Sequence, residues 1–449
     1  MSKRLLVQPS ILPVDQLLQD YCNSSSFVIN NVRKIVFSPC SEYLAIPKQD
    51  IDGQYCVLVI HCSNWHSNNV TNSDLCIHNQ FTCTSAIWSL AFGQRTSKLN
   101  SVTNSILSDR DHLSMLTARR DSFGRRYSFG RRDSLGGGRR SSFSVVNRRY
   151  DFTKNLFLAA GLADGKINIW NVATGELTLI LKDHQLPVCG LDFTACTMQL
   201  ASCSHDTTIK LWDLLDDGNM YTTLNEWTHA INTVKWSPDE TLLCAVGPYE
   251  LVVLFDTATW TKLFDLDGHL HTVVDCAFSS DSALLVTASH DTRVLMWSTT
   301  TGEIIKSFAH QVPIPLKIYA GGDNGAFVRS VAITKFNHFL ITACDDNKVR
   351  WFPLVLNDSS KPIFEQTESN VFCVATTPDS HTMAISNRNG DVHLFSTLST
   401  LFTSQPLSLK CLCRLAINTY CGIKRKDIVK LPISCVLVNY LLYRDIKMK

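Results

Sequence analysis

The chain has 449 residues, 45% of them hydrophobic and 18% charged, with a formal net charge of +2. That is enough for one large domain or two to three ordinary ones with a sizeable core, and the near-neutral balance argues against a general nucleic-acid binder. Seventeen cysteines, an odd count without a C-x-x-C pair, point to reduced thiols in the cytoplasm or nucleus rather than to a disulfide framework or a zinc site.

Residues 1–30 read as an N-terminal segment. The apolar run of "MSKRLLVQPSILPVDQ" is broken by Gln, Pro and Asp, so it is not expected to be a signal peptide. No later stretch reaches the ~18 apolar residues that span a bilayer, so no membrane contact is expected.

A repeat governs residues 31–400. "DGKINIWNVATGE" (164–176), "DTTIKLWDLLDDG" (206–218) and "DTRVLMWSTTTGE" (291–303) align without gaps. Trp170, Trp212, Phe255, Trp297, Trp351 and Phe395 close successive units, at spacings of 42, 43, 42, 54 and 44 residues. Within each unit an alternating strand such as "HTVVDCAF" is followed by a polar turn, a second strand such as "LLVTAS", a tight turn and a third strand. Period-2 alternation with turn residues every 8–12 positions predicts an all-β chain, and the period is that of a four-stranded propeller blade. Counting outward gives seven blades, with eight as the alternative count. They start near Val32, Ala86, Leu186, Ile231, Val273, Phe327 and Asn370. The 54-residue spacing absorbs an extra loop, "QVPIPLKIYAGGDNGA", after the fifth unit.

Two units carry a further pattern. His184 precedes Trp212 by 28 residues and His269 precedes Trp297 by 28; Asp206 and Asp291 each lie six before their Trp, and Ser202 and Thr287 are the nearby hydroxyls. A Ser, His and Asp set invites a catalytic reading. A set repeated in two blades instead serves to lock turns, because buried polar groups must be paired, whereas a catalytic triad occurs once in one cleft. These residues resemble the His–Ser/Thr–Asp–Trp hydrogen-bond network of WD40 blades. Propellers commonly bind partners on the face carrying the loops before the first strand and between the second and third strands; His205, His290 and the 309–326 loop are expected there.

An insertion, residues 97–150, follows the first strand of blade two and ends before "LFLAAG" at Leu156, which places it on the opposite face. Between Arg119 and Arg149 there are ten Arg against two Asp, and the unit Arg-Arg-x-Ser ends at Ser122, Ser128, Ser134 and Ser142. Its composition predicts disorder. Three readings stay open: an RNA-binding arm in which Phe123, Tyr127, Phe129 and Phe143 stack, an inert loop, or a cluster of phosphorylation sites. Arg-Arg-x-Ser resembles the preferred site of basophilic kinases.

The pattern changes in the tail, residues 406–445. Leu409, Leu412, Cys413, Ala416, Ile417 and Tyr420 fall at i, i+3, i+4, i+7, i+8 and i+11, one face of a helix with Ser408 as its cap. A second short apolar helix is predicted from a cap at Ser434 to about Tyr443. So small a segment must rest its apolar face on something, either the propeller's flank or a groove in another protein. "SLKCLCRLAI" resembles the elongin-C-binding box of SOCS-box proteins, with Leu409, Cys413 and Ile417 in its three places. "LPIS" resembles the cullin-reading box, with Ser434 standing where the family has a second Pro.

A propeller followed by such a box is the architecture of the WD-repeat and SOCS-box-containing proteins; the Arg/Ser insertion is not part of that pattern. The resemblance implies a non-catalytic substrate receptor of a cullin-RING ubiquitin ligase that needs no cofactor. Ser408, Leu409, Leu412, Cys413 and Ile417 would meet elongin B/C. Leu431, Pro432, Ile433, Leu437 and Tyr440 would meet the cullin, and the propeller would hold an unknown protein target. The rival class is a WD-repeat scaffold in signalling or RNA processing, with its tail packed intramolecularly on the propeller's flank.

Overall fold

In a computed structural model of the chain, the structure describes residues 12–13, 34–49, 53–62, 75–94, 155–196, 198–310, 327–334, 339–354, 362, 364–367, 371–388, 390–396 and 433–441. Seven four-stranded antiparallel sheets form the blades of a propeller. Blades one to six comprise residues 36–83, 87–182, 188–224, 233–265, 273–309 and 328–367, and blade seven is built on residues 371–396. The first strand of each blade lies nearest the axis. It packs against the first strands of both neighbours, and the strand Val36–Phe37 touches those of blades two and seven, which closes the ring.

Blade seven takes its fourth strand from the far end of the chain. Leu12 pairs with Leu394 and Pro13 with His393, so residues set apart in the sequence as an N-terminal segment complete the last sheet. Two residues carry no alternation to read, and proline suits an edge strand, where its missing N–H faces no partner.

Burial falls off outward along each blade. Second strands such as Phe157–Leu162, Leu242–Val246 and Leu284–Ser289 are buried at every residue, whereas the fourth strands Leu177–Lys182 and Thr261–Asp265 are mostly open. The inner strands are covered on both faces by adjacent blades and therefore read as continuous apolar runs. The core divides into seven clusters, each shared by two neighbouring sheets. One of them joins Ile46 and Leu58 of blade one to Ala384 and Leu394 of blade seven.

The polar turn after the first strand is built the same way in six blades. A hydroxyl, from Ser38, Thr194, Ser237, Ser279, Thr334 or Thr377, accepts the backbone N–H five residues on at 2.8–3.0 Å. In blades four, five and seven the same hydroxyl donates to an Asp two residues later. This device survives in blades that lack the His and Trp pattern, which explains why their sheets still form.

Blade six differs from the sequence reading by one residue. Its pairing sets Leu340 opposite Phe352, as Leu200 faces Trp212 and Leu285 faces Trp297. Phe352 therefore occupies the position that the spacing assigned to Trp351.

Candidate partner-binding face and C-terminal helix

The repeated polar sets come together. In blade three His184 Nδ1 lies 2.7 Å from Asp206 Oδ2 and Nε2 lies 2.8 Å from Ser202 Oγ, which accepts the Trp212 indole N–H at 2.8 Å. In blade five the matching distances are 2.9 Å from His269 to Asp291, 2.7 Å from His269 to Thr287, and 2.8 Å from Trp297 to Thr287. The carboxylate can only accept, so Nδ1 carries the proton. The hydroxyl accepts from the indole and gives its own proton to Nε2.

Burial pushes the Asp291 carboxyl up, but the hydrogen bond from His269, the Leu270 amide and the Arg293 guanidinium outweigh it and hold the group down at about 2. Asp206 is likewise depressed: burial opposes, and the bonds from His184, Thr208 and the Gln185 amide prevail. Each set joins the turn before its blade to the third strand and leaves no hydroxyl proton free for attack.

A partial third set was not legible. His310 Nε2 bonds Thr342 Oγ1 at 2.8 Å, but Phe352 supplies no indole N–H and Asp346 pairs with Arg350 instead. Burial first, then the Arg350 charge, push His310 down to about 4. The signal lay in Thr342 and Asp346, ten and six residues before Phe352; anchoring the count on Trp351 and the long loop after His310 concealed it.

The face predicted to bind partners is organised by a repeated backbone irregularity. In blades two, three, five, six and seven the register between the first two strands skips one residue near its start: Trp88, Cys189, Val274, Arg329 and Phe372. A bulge re-aims the side chain it frees. All five line an opening of about 310 Å³ at the mouth of the central channel, together with Lys34 and His205.

Arg329 is held in place from three sides. It donates to Asp345 at 2.6 and 2.9 Å, its Nη1 lies 3.0 Å from His290 Nε2, and its guanidinium stands 5.1 Å over the Phe327 ring. Arg388 shares Asp345 at 3.0 Å and lies 5.8 Å over Phe372. Burial, then Arg329 and His271, push His290 down to about 4, so at neutral pH its Nε2 accepts from the arginine. His205 meets Trp88 edge-on at 5.0 Å, and Tyr249, 75% exposed, lies tilted against His229 at 4.2 Å.

His205 and His290 thus lie on this face; of the 309–326 loop, residues 311–326 fall outside the described residues. Trp88, Arg329 and Phe372 were missed, because alternation alone does not report a bulge; Tyr249, in the turn between the second and third strands of blade four, was missed as well. Aromatic side chains and held guanidinium groups around a concave mouth are the chemistry that dominates protein recognition energies.

Ser122, Ser128, Ser134 and Ser142 lie outside the described residues, as do Ser408, Leu409, Leu412, Cys413, Ile417, Leu431 and Pro432. The structure does describe the tail's second helix, α1, Cys435–Leu441. The Ser434 carbonyl accepts from the amides of Leu437 and Val438, and its hydroxyl accepts from Leu437 at 3.3 Å. The residue that departs from the Leu-Pro-x-Pro pattern is therefore the cap of this helix. Tyr440 and Leu441 are buried, Ile433 is half-buried, and Val436 and Leu437 are 74% and 38% exposed. No helix among the described residues is long and apolar enough to cross a membrane.

A seven-bladed ring with WD40 hydrogen-bond sets, followed by a small capped helix, defines a WD-repeat propeller with a helical C-terminal module. Sequence comparison agrees on both parts: the family model "WD domain, G-beta repeat" matches residues 175–213, 260–298 and 314–352, and the model "SOCS box" matches residues 405–442. WD repeat and SOCS box-containing protein 1 of Xenopus tropicalis is 33% identical over 298 residues, covering 66% of this chain and 68% of that protein. The human protein of the same name is 38% identical over 290 residues, 64% of this chain and 66% of that protein. That of Danio rerio is 35% identical over 300 residues, 66% and 69% respectively. The chain belongs to the family of WD-repeat and SOCS-box-containing proteins.

Proposed function

We propose that this protein is the substrate receptor of a cullin-RING ubiquitin ligase, with the propeller holding a protein target and the tail joining elongin B/C and the cullin. The observation that carries the reading is a matched SOCS box, residues 405–442, placed directly after a complete propeller. Its chemistry is proximity alone: tethering a target raises the effective concentration of a lysine near a charged ubiquitin-conjugating enzyme, and no acid, base or nucleophile is asked of this chain. Ser408, Leu409, Leu412, Cys413 and Ile417 form the elongin face, with Leu409 the deepest anchor. Leu431, Pro432, Ile433, Leu437 and Tyr440 belong to the cullin segment, in which exposed Leu437 is available and Tyr440 is buried in the free chain.

The target surface is the channel mouth around Trp88, Arg329 and Phe372. A cytoplasmic or nuclear site of action fits cysteines that stand as thiols among the described residues. Basophilic kinases acting at Ser122, Ser128, Ser134 and Ser142 would transfer phosphoryl groups from ATP and add about −1.5 to −2 charge each.

Purified elongin B/C tests the reading. Wild type should retain it on a pull-down, and Leu409→Asp should lose it while the propeller stays folded. Failure of wild type to bind sinks the proposal. The buried Tyr440 and Leu441 favour a second reading, a WD-repeat scaffold whose tail packs on its own propeller; there Leu409→Asp lowers the thermal midpoint of the isolated chain instead.

A further inference from the structure

On the propeller face opposite the channel mouth, the described turns carry acidic charge alone. The described turns between first and second strands and between third and fourth strands hold Glu176, Asp216, Asp217, Asp239, Glu240 and Glu303 among their acids, and no Lys or Arg. Between blades four and five this face also has a groove of about 450 Å³. Its apolar wall is Leu242, Ala258, Leu263 and Phe264, and the carboxylates of Glu240 and Asp256 stand beside it. Leu263 is 43% exposed although it is a large apolar residue on an outer strand.

The insertion leaves from this same face, after the strand that ends at Gly93 and before the strand that starts at Phe157. Its repeat matches the groove in kind. Each of the first three Arg-Arg-x-Ser units is followed by an apolar residue, Phe123, Phe129 or Leu135, and then by glycine. One unit therefore offers two guanidinium groups for the carboxylates and one apolar side chain for the wall. Residues 95–154 have ample reach, since a chain of that length spans on the order of 40 Å even as a random coil. The tether also gives the repeat an effective concentration in the millimolar range.

We propose that the groove between blades four and five is a docking site for the chain's own Arg-Arg-x-Ser-φ-Gly repeats, residues 119–135, with the aromatic or leucine side chain on Leu263 and Phe264 and the arginines on Glu240 and Asp256. The three repeats are equivalent occupants, one bound at a time. This inference is independent of the ubiquitin-ligase reading, because neither elongin nor a target takes part.

The test is site-specific photo-crosslinking in the full chain. p-Benzoylphenylalanine replaces Phe129, the protein is irradiated, and the products are mapped by mass spectrometry. Cross-links within one chain to residues 240–264 and 299–300 are expected. Their yield should fall about tenfold in Leu263→Lys, at an exposed position whose change should leave the thermal midpoint in place. It should fall similarly in about 1 M salt, where the screening length shrinks to about 3 Å. Should Leu263→Lys not fold, Arg125→Gln with Arg126→Gln tests the same contact from the arm and leaves the groove untouched. Cross-links that scatter over other turns, join two chains, capture nucleic acid, or persist unchanged in those variants and in salt overturn the proposal, as does the absence of any cross-link.

Discussion

Thr287 shows how much one hydroxyl holds. It bonds both His269 and Trp297, so Thr287→Val, which keeps the shape, leaves two buried donors or acceptors without a partner. The expected cost is about 3 kcal/mol in urea unfolding. Thr342→Val should cost roughly half as much, because only His310 bonds that hydroxyl. Equal costs would contradict the account of the indole's role. His310 also sets a pH dependence. The unfolded chain takes up a proton on this histidine below about 6.5, whereas the folded chain refuses it until about 4. The contribution to stability is therefore complete above about pH 6.5 and falls as pH drops toward 4, by on the order of 3 kcal/mol. The neighbouring Asp346 and Glu365 are both held below the usual carboxylate range by bonds from Arg350 that outweigh burial. Unfolding midpoints at pH 7 and pH 4.5 measure the effect, and His310→Asn should flatten it. At this scale the 28- and six-residue spacings were legible in blades three and five because each set lies within one uninterrupted repeat. The blade-six set was not, since a loop separates His310 from the rest.

Among the elements, the blade contacts depend on small residues at the inner strands. A Cβ on Gly161 would lie 2.3 Å from Ser89 Oγ and 2.8 Å from the Val188 carbonyl, and Ser89 Oγ itself donates to that carbonyl at 2.8 Å. Backbone cannot yield as a side-chain tip does, so Gly161→Ala should separate blades two and three. The expected loss is about 2–3 kcal/mol, at the upper end for overpacking, read as a lower urea midpoint with an unchanged slope. The bulges belong to the same level. Strand positions were legible from alternation, but the skipped residue at Trp88, Cys189, Val274, Arg329 and Phe372 was not, because a bulge is defined by which residue the neighbouring strand pairs. Ser434 is the opposite case: a hydroxyl before an apolar run signals a helix start from the sequence alone, and the helix follows it.

At the scale of the whole molecule, the thermal midpoint separates the two readings of the tail. If the SOCS box faces a partner, Leu409→Asp leaves the thermal midpoint of the isolated chain within about 1 °C of wild type; if it packs on the propeller, the midpoint drops by several degrees, roughly 2–4 °C for each kcal/mol lost. The blade repeat, a count of seven with eight as its rival, the turn from which the Arg/Ser insertion leaves and the SOCS resemblance can all be read from the order of residues alone. Hydrogen-bonded neighbours within a blade are close in the chain, and their periodicity records them. Closure of the ring at seven, completion of blade seven by Leu12 and Pro13, and the meeting of side chains from Lys34 to Phe372 at one channel mouth come only from the packing of the blades. Those contacts join residues hundreds of positions apart, and they exist only once seven twisted sheets have packed face to face around one axis.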